Sequence, residues 1–353
     1  MGAPVTGMAT TTTSRLTLLA WCWLGVGVVA AAGCSHSSSA SSPTAPTPGG
    51  PSGATGQVLD GVSGQPAAGA TIRIDGLGEV TTAGDGSFAF GAAGGGAALR
   101  AVTVTSASTI ERSTWAVVPG APLSITLMPS SLDLTAFNQM FRGNNGELHR
   151  WTSAPALVLQ RRVLRFTNLT DLSYTATSAV MPESEADAIV SDLAWALPQL
   201  SASVFPAFSS VQRETAGEGD AVAAFRPGIV VVALADGLTS ATSYAGYTRW
   251  AWNAAGEMVD ALLVIDRSFD GSSSPYRRTV RAHELGHALG YNHVTARPSV
   301  MDARATTEPT PFDLDGARIA FQRPLLNRSP DADPKPTIGT NARRAVVFRS
   351  GAP

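Results

Sequence analysis

The reading of this chain starts from His283-Glu284-Leu285-Gly286-His287-Ala288-Leu289-Gly290-Tyr291-Asn292-His293. A helix turns by ~100° per residue, so His283 and His287 fall only ~40° apart on one face, where their imidazoles can converge on one ion. Such a pair is half of a zinc site. Glu284 lies on the flank of the same face, too close in sequence to share a tetrahedral metal but well placed to meet a water beside it, and so reads as a base rather than a ligand. Gly290 supplies the left-handed residue that stops a helix, and a sharp turn there brings His293 back toward the other two. The plainer alternative is a helix whose histidines belong to the core or the surface. Against it, three of the five histidines of the chain fall within this single stretch.

The spacing His-Glu-x-x-His-x-x-Gly-x-x-His resembles that of the metzincin clan of zinc endopeptidases, with every defined position filled. Beyond His293 comes Ser299-Val300-Met301-Asp302, which is similar to the clan's Met-turn at the interval found in matrixins. The resemblance implies one catalytic Zn²⁺ held by His283, His287 and His293, with Met301 beneath the imidazoles. It also implies Glu284 as the base that activates water on the metal for hydrolysis of peptide bonds in proteins or peptides. Asp302 is a candidate to orient a ligand histidine from behind. Ala303 stands where some metzincins carry a tyrosine, so a tyrosine contribution at that position is not expected. In the competing gluzincin arrangement a downstream glutamate would be the third ligand, and Glu308 is the only one after the helix.

The rest of the chain fits an exported protein. Of its 353 residues only 15% are charged and the net charge is -2, which suggests neither nucleic acid nor an electrostatic membrane patch as partner. Residues 1–34 have the layout of a secretory signal: Arg15, then the apolar run Leu16 to Ala32, then Gly33-Cys34. Ala31-Ala32-Gly33-Cys34 resembles a bacterial lipobox, which implies a lipid on Cys34 and a place in the cell envelope, in the periplasm or at the cell surface. A simple signal peptide with an extracellular product, or a retained anchor, stays open. Cys22 and Cys34 are the only cysteines, so no disulfide framework and no latency cysteine on the metal are available to the mature protein. Residues 35–56, rich in Ser, Ala, Thr, Pro and Gly and including His36, read as a tether without a core.

From 57 to 130 the apolar residues alternate in short runs: Ile72/Ile74, Phe88/Phe90, Val102/Val104 and Leu123/Ile125/Leu127. Period two with Gly, Pro and Asp between the runs predicts antiparallel strands in a small sandwich. Together with Gln65-Pro66-Ala67-Ala68-Gly69 and Gly84-Asp85-Gly86-Ser87-Phe88, this segment resembles the carboxypeptidase-regulatory-like β-sandwich. It is expected to serve as a spacer or as a surface-binding module.

Residues 131–330 are expected to form the α+β peptidase domain. Trp151 and the apolar positions from Leu157 to Leu164 predict an entry strand, with His149 outside the metal set. Pro182-Glu183-Ser184-Glu185 opens an amphipathic helix that Pro198 should end or bend near Leu197. Ile229-Val230-Val231-Val232 predicts a central strand, and residues 245–252 with 258–265 a hairpin. In metzincins an edge strand binds extended substrate, and residues 245–252 are the candidate for it, with Tyr247, Trp250 and Trp252 either bordering the cleft or packing in the sheet. The active-site helix is predicted over 279–289. Gly286, unfavourable inside a helix, implies close packing against another element. A further helix is expected around Phe312 to Phe321, then a loose tail over 331–353. A structural calcium ion is left open, since Asp266 and Asp270 beside Gly271 are too few to define a site.

The sequence thus predicts a multidomain chain, a small all-β sandwich followed by an α+β metzincin-like zinc peptidase, taken to be a monomer. The alternative is a non-catalytic surface-binding lipoprotein that displays a zinc-peptidase-like fold.

Overall fold

Alternating apolar side chains between Thr55 and Leu127 form two facing sheets. The strands are β1 (Thr55–Asp60), β2 (Thr71–Ile74), β3 (Gly78–Thr81), β4 (Ser87–Ala89), β5 (Ala98–Thr105), β6 (Arg112–Val118) and β7 (Leu123–Leu127). One sheet has the order β4-β1-β7 and the other β3-β2-β5-β6. Between them Val58, Ile72, Ile74, Phe88, Val102, Val104, Ile125 and Leu127 form a buried cluster, as the period-two pattern requires. The computed structural model describes residues 53–92, 94–168, 173–222, 225–270, 276–336 and 344–351. The signal and lipid-attachment expectations for residues 1–34, most of the 35–56 tether, and Gly271 lie outside the described residues.

After the sandwich, α1 (Leu134–Phe137) runs into a wide helical turn, Asn138–Arg142. Next come β8 (Ala156–Asn168), β9 (Ser173–Val180), α2 (Glu183–Leu200), β10 (Val211–Glu214) and β11 (Ile229–Asp236). They are followed by α3 (Leu238–Thr242), β12 (Tyr244–Trp252), β13 (Met258–Asp266), α4 (Arg267–Asp270), α5 (Arg277–Ala288), α6 (Pro311–Phe321) and β14 (Arg344–Gly351). A single sheet runs β10-β8-β11-β13-β12-β14, with β9 pairing the far end of β8. β10, β8, β11 and β13 are parallel, while β12 is antiparallel to β13, and β14 to β12. The described protein is therefore a mixed α/β, multi-sheet chain with all-β content first and α+β content after it.

The apolar run of β11 is central because both of its faces are covered. Val230, Val232 and Leu234 meet the cluster that includes Ile189, Leu193 and Leu197 of α2 and Val280 and Leu285 of α5. Val231, Ala233 and Ala235 face the other way, toward Tyr174, Leu238 and Tyr247. Among the described residues no helix is long and apolar enough to cross a membrane.

Four expectations are corrected or decided here. α2 runs past Pro198 to Leu200 and stops there, within one turn of the proline rather than at Leu197. Tyr247, Trp250 and Trp252 are buried core residues rather than exposed cleft borders. Residues 245–252 do not form the edge of the sheet, because β14 pairs along their outer side. Finally, the described parts of 331–353, residues 331–336 and 344–351, are not a loose tail. Besides supplying β14, they begin with fully buried Asp331, which takes a bidentate pair of hydrogen bonds from Arg323 Nε and Nη2, both 2.7 Å. Arg323 Nη1 reaches Thr126 Oγ1 of β7 at 2.9 Å, and Arg112 of β6 donates to Asp333 Oδ2 at 2.9 Å. Asn327 donates to both aspartates and accepts from Arg142 at 2.5 Å. Burial pulls the Arg142 guanidinium down to about 10 and lowers that of Arg323, while Asp331 opposes the shift in each case.

Candidate metal centre

α5 carries the first two histidines one turn apart with rings edge to face, their centroids separated by 4.6 Å. The helix stops after Ala288, and Gly290 takes φ +103°, a conformation a side chain would strain; an added Cβ would also lie 2.8 Å from His149 O. The chain folds back from there. His293 Nε2 comes to 3.1 Å from His287 Nε2, and the ligand nitrogens of His283, His287 and His293 all lie within 4.8 Å of one another. An ion with metal–nitrogen bonds of about 2.0–2.1 Å in tetrahedral geometry separates its nitrogens by about 3.3 Å. This buried three-histidine group can hold a metal ion.

The ring orientations fit that use. His283 Nδ1 donates to Val300 O and His287 Nδ1 to Tyr291 O, each at 2.7 Å, which leaves Nε2 of both rings as the lone-pair nitrogen. His283 Nε2 is buried without a hydrogen-bond partner. A buried polar atom left this way costs about 1–3 kcal/mol, a cost that coordination removes. Burial, with the neighbouring imidazoles adding to it, holds His283 at about 3 and His287 well below the ordinary histidine value. His293 is also lowered by burial, opposed by Asp302. All three are therefore neutral near pH 7, the form that binds metal.

The turn below the histidines is held by a residue the motif does not contain. Asp313, fully buried at the start of α6, accepts from Ser299 Oγ at 2.5 Å, Val300 N at 3.0 Å, Thr310 N at 2.7 Å and Thr310 Oγ1 at 2.9 Å. The same Val300 whose amide it takes presents its carbonyl to His283. The helix cap is thereby wired to a ligand ring. Met301 is fully buried, and a Cβ on Gly286 would lie 2.4 Å from its sulfur, so the close packing expected of Gly286 is against this methionine.

Glu284 is fully buried beside β12. Thr248 Oγ1 donates to Glu284 Oε2 at 2.5 Å, and a Cβ on Gly246 would lie 2.4 Å from Oε1. α5 is clamped from its other end by Arg281, which donates to Asp270 at 2.9 and 2.5 Å and to Asp192 of α2 at 2.8 Å. The two acids considered for calcium thus have protein partners: Asp270 binds Arg281, and Asp266 accepts from Thr239 N at 2.8 Å and Ser268 N at 2.9 Å. Asp302 accepts from Arg304 N, and its charge acts on His283 and His293, opposing the lowering of both. His149 stacks on Trp252 at 4.5 Å, outside the three-histidine group.

Motif spacing pointed to neither Asp313, Thr248 nor Arg281. Only Asp313 left a local trace, the Thr310-Pro311-Phe312-Asp313 capping box.

No known family model matches the sequence, and no curated protein is similar to it. Among solved structures the chain is similar to Klebsiella pneumoniae 5-hydroxyisourate hydrolase, at 19% identity over 21% of this chain and 84% of that one, with a TM-score of 0.17. A likeness of that size bears on neither fold nor activity.

Proposed function

We propose that the chain is a zinc-dependent endopeptidase of the metzincin type, exported and held at the cell envelope or released from the cell. One observation carries this reading: three neutral, convergent imidazoles, with Nδ1 of His283 and His287 already engaged, lie beside a buried carboxylate on the same helix. An all-imidazole set suits zinc among the divalent ions, although imidazole also binds copper, nickel and iron. The methionine packed under the helix and the strand beside Glu284 agree with the resemblance of His283 to Met301. The signal-like residues 1–34 are the basis for export, with a lipid on Cys34 as the membrane link.

When bound, zinc supplies a Lewis acid that polarises a scissile carbonyl and makes water acidic enough to be deprotonated near neutrality. The protein does the rest. Val300 O and Tyr291 O fix the ring orientations of His283 and His287, and Met301 supports them from below. Glu284 accepts the proton of the attacking water at its carboxylate and returns it to the leaving amine nitrogen. Thr248 holds that carboxylate through Oε2.

Glu284→Ala is expected to bind about one zinc per chain, measured by metal analysis, and to cleave neither casein nor gelatin, whereas the unsubstituted protein cleaves them and stops when a chelator is added. Chelator-sensitive cleavage by Glu284→Ala would refute the assignment of the base. An unsubstituted protein that binds zinc and cleaves nothing would favour a non-catalytic binding protein.

A further inference from the structure

β12 is the strand that touches Glu284, through Gly246 and Thr248. Its outer side is covered by the end of the same chain. β14 runs antiparallel along it, pairing Gly246 with Ser350, Tyr247 with Arg349 and Thr248 with Phe348, and continuing to Trp252 opposite Arg344. Neighbouring strands lie about 4.8 Å apart, so the backbone of 348–350 passes one strand spacing from the two residues that contact the carboxylate. His283, Glu284 and His287 are all fully buried in this arrangement. Without β14 the sheet would end in the nine-residue strand β12, whose outward amides and carbonyls would be open to an extended polypeptide.

We propose that Arg344–Gly351 is a built-in occupant of the peptide-binding edge: the chain holds its own C-terminal segment where an extended substrate would pair, and this segment must leave before another polypeptide can enter. The inference rests on the endopeptidase reading for its consequence, though not for the pairing itself. The occupant also defines the partner. The edge takes an extended chain antiparallel to β12, recognised through its backbone, rather than a folded surface. A tethered segment competes at an effective concentration on the order of millimolar, so a peptide that binds the open edge at about 10–100 µM would be disfavoured by about 10–100-fold.

The test compares the zinc-loaded full-length protein with a chain ending at Pro336, using a synthetic peptide of residues 341–353 as the probe. Hydrogen exchange is read at the amides of 244–252, and cleavage is read on a quenched fluorogenic peptide. Shortening the chain should remove protection from the amides of 244–252 that face β14, while those bonded to β13 stay protected, and adding the peptide should restore it. It should also raise kcat/KM by about tenfold or more, with the added peptide inhibiting by raising KM rather than lowering kcat. A full-length protein carrying Val346→Pro and Val347→Pro, which removes whichever of these two adjacent amides faces β12 while keeping the chain length, should behave as the shortened one does. The proposal is overturned if folded shortened and proline-substituted proteins both keep the β14-facing amides of β12 protected. It is equally overturned if they expose β12 but neither bind the peptide nor gain activity. If no form cleaves any substrate, the endopeptidase reading fails, and the exchange data alone decide whether the edge is a peptide site occupied by β14.

Discussion

Replacing Gly286 with alanine sets two effects of known size against each other. In the interior of a helix alanine is favoured over glycine by about 1 kcal/mol, so an unencumbered site would be stabilised. At Gly286 the added methyl would lie 2.4 Å from Met301 Sδ and 3.2 Å from Met301 Cε, with Tyr291 Cδ2 at 3.6 Å. Met301 is a flexible residue, yet it is fully buried against Gly286 and has no solvent to move into. Overpacking of this kind costs about 1–3 kcal/mol, so the gain is cancelled or outweighed and the expected balance is a net loss of up to about 2 kcal/mol. Urea denaturation of the metal-free protein measures it, and the same substitution in a Met301→Ala background isolates the contact. There the methyl enters vacated space, and Gly286→Ala should stabilise by about 1 kcal/mol. A stabilising effect of equal size in both backgrounds would refute the idea that the glycine is there to admit the methionine.

Asp313→Ala should lower stability by about 2–4 kcal/mol, because it leaves the Ser299, Val300 and Thr310 donors without their buried carboxylate. It should also weaken zinc binding by about 10–100-fold through the loosened Val300–His283 hydrogen bond, which a competition titration against a chelating dye would read. The depressed histidines make a separate prediction about pH. Between about 6.5, where free histidine titrates, and about 3, where His283 titrates in the fold, the unfolded chain binds more protons than the native one. The metal-free protein should therefore lose stability as pH falls through that window, by up to about 1.4 kcal/mol per pH unit for each such histidine. Denaturation series at successive pH values should show this slope largely abolished in a His283→Gln, His287→Gln, His293→Gln protein.

What could be read from the sequence was local. Helical spacing located α2, α5 and α6, alternation located the strands around Ile72, Val102 and Ile125, and the turn after Gly290 brought His293 beside His287 because a left-handed residue is a property of one position. The hairpin of β12 and β13 was visible for the same reason, its turn at Asn253 to Gly256 joining two apolar runs. β14 was not. Its partner precedes it by about a hundred residues, and strand pairing at that separation leaves no period within the segment itself. The ionic group around Asp331 was hidden differently: Pro, Asp, Lys and Arg in a short stretch look solvated, and only the placement of Arg323, Asn327 and Arg112 turns that stretch into an interior. Asp313 looked like an ordinary cap because its second set of donors, Ser299 and Val300, comes from a different loop.

The hydrogen bonds from Arg323 to Thr126 and from Arg112 to Asp333 tie the small sandwich to the α+β body through groups that cannot be exchanged casually. Gln322, just after α6, and Arg318 of α6 extend the join, reaching the carbonyls of Gly61 and Val62. Grafting another sandwich of similar outline onto residues 131–353 would leave a guanidinium and an aspartate facing an unfamiliar wall. The module is therefore transferable only with its matching half of the seam, Arg112 and Thr126 included, and lineages that shuffle such units would have to inherit the two parts together.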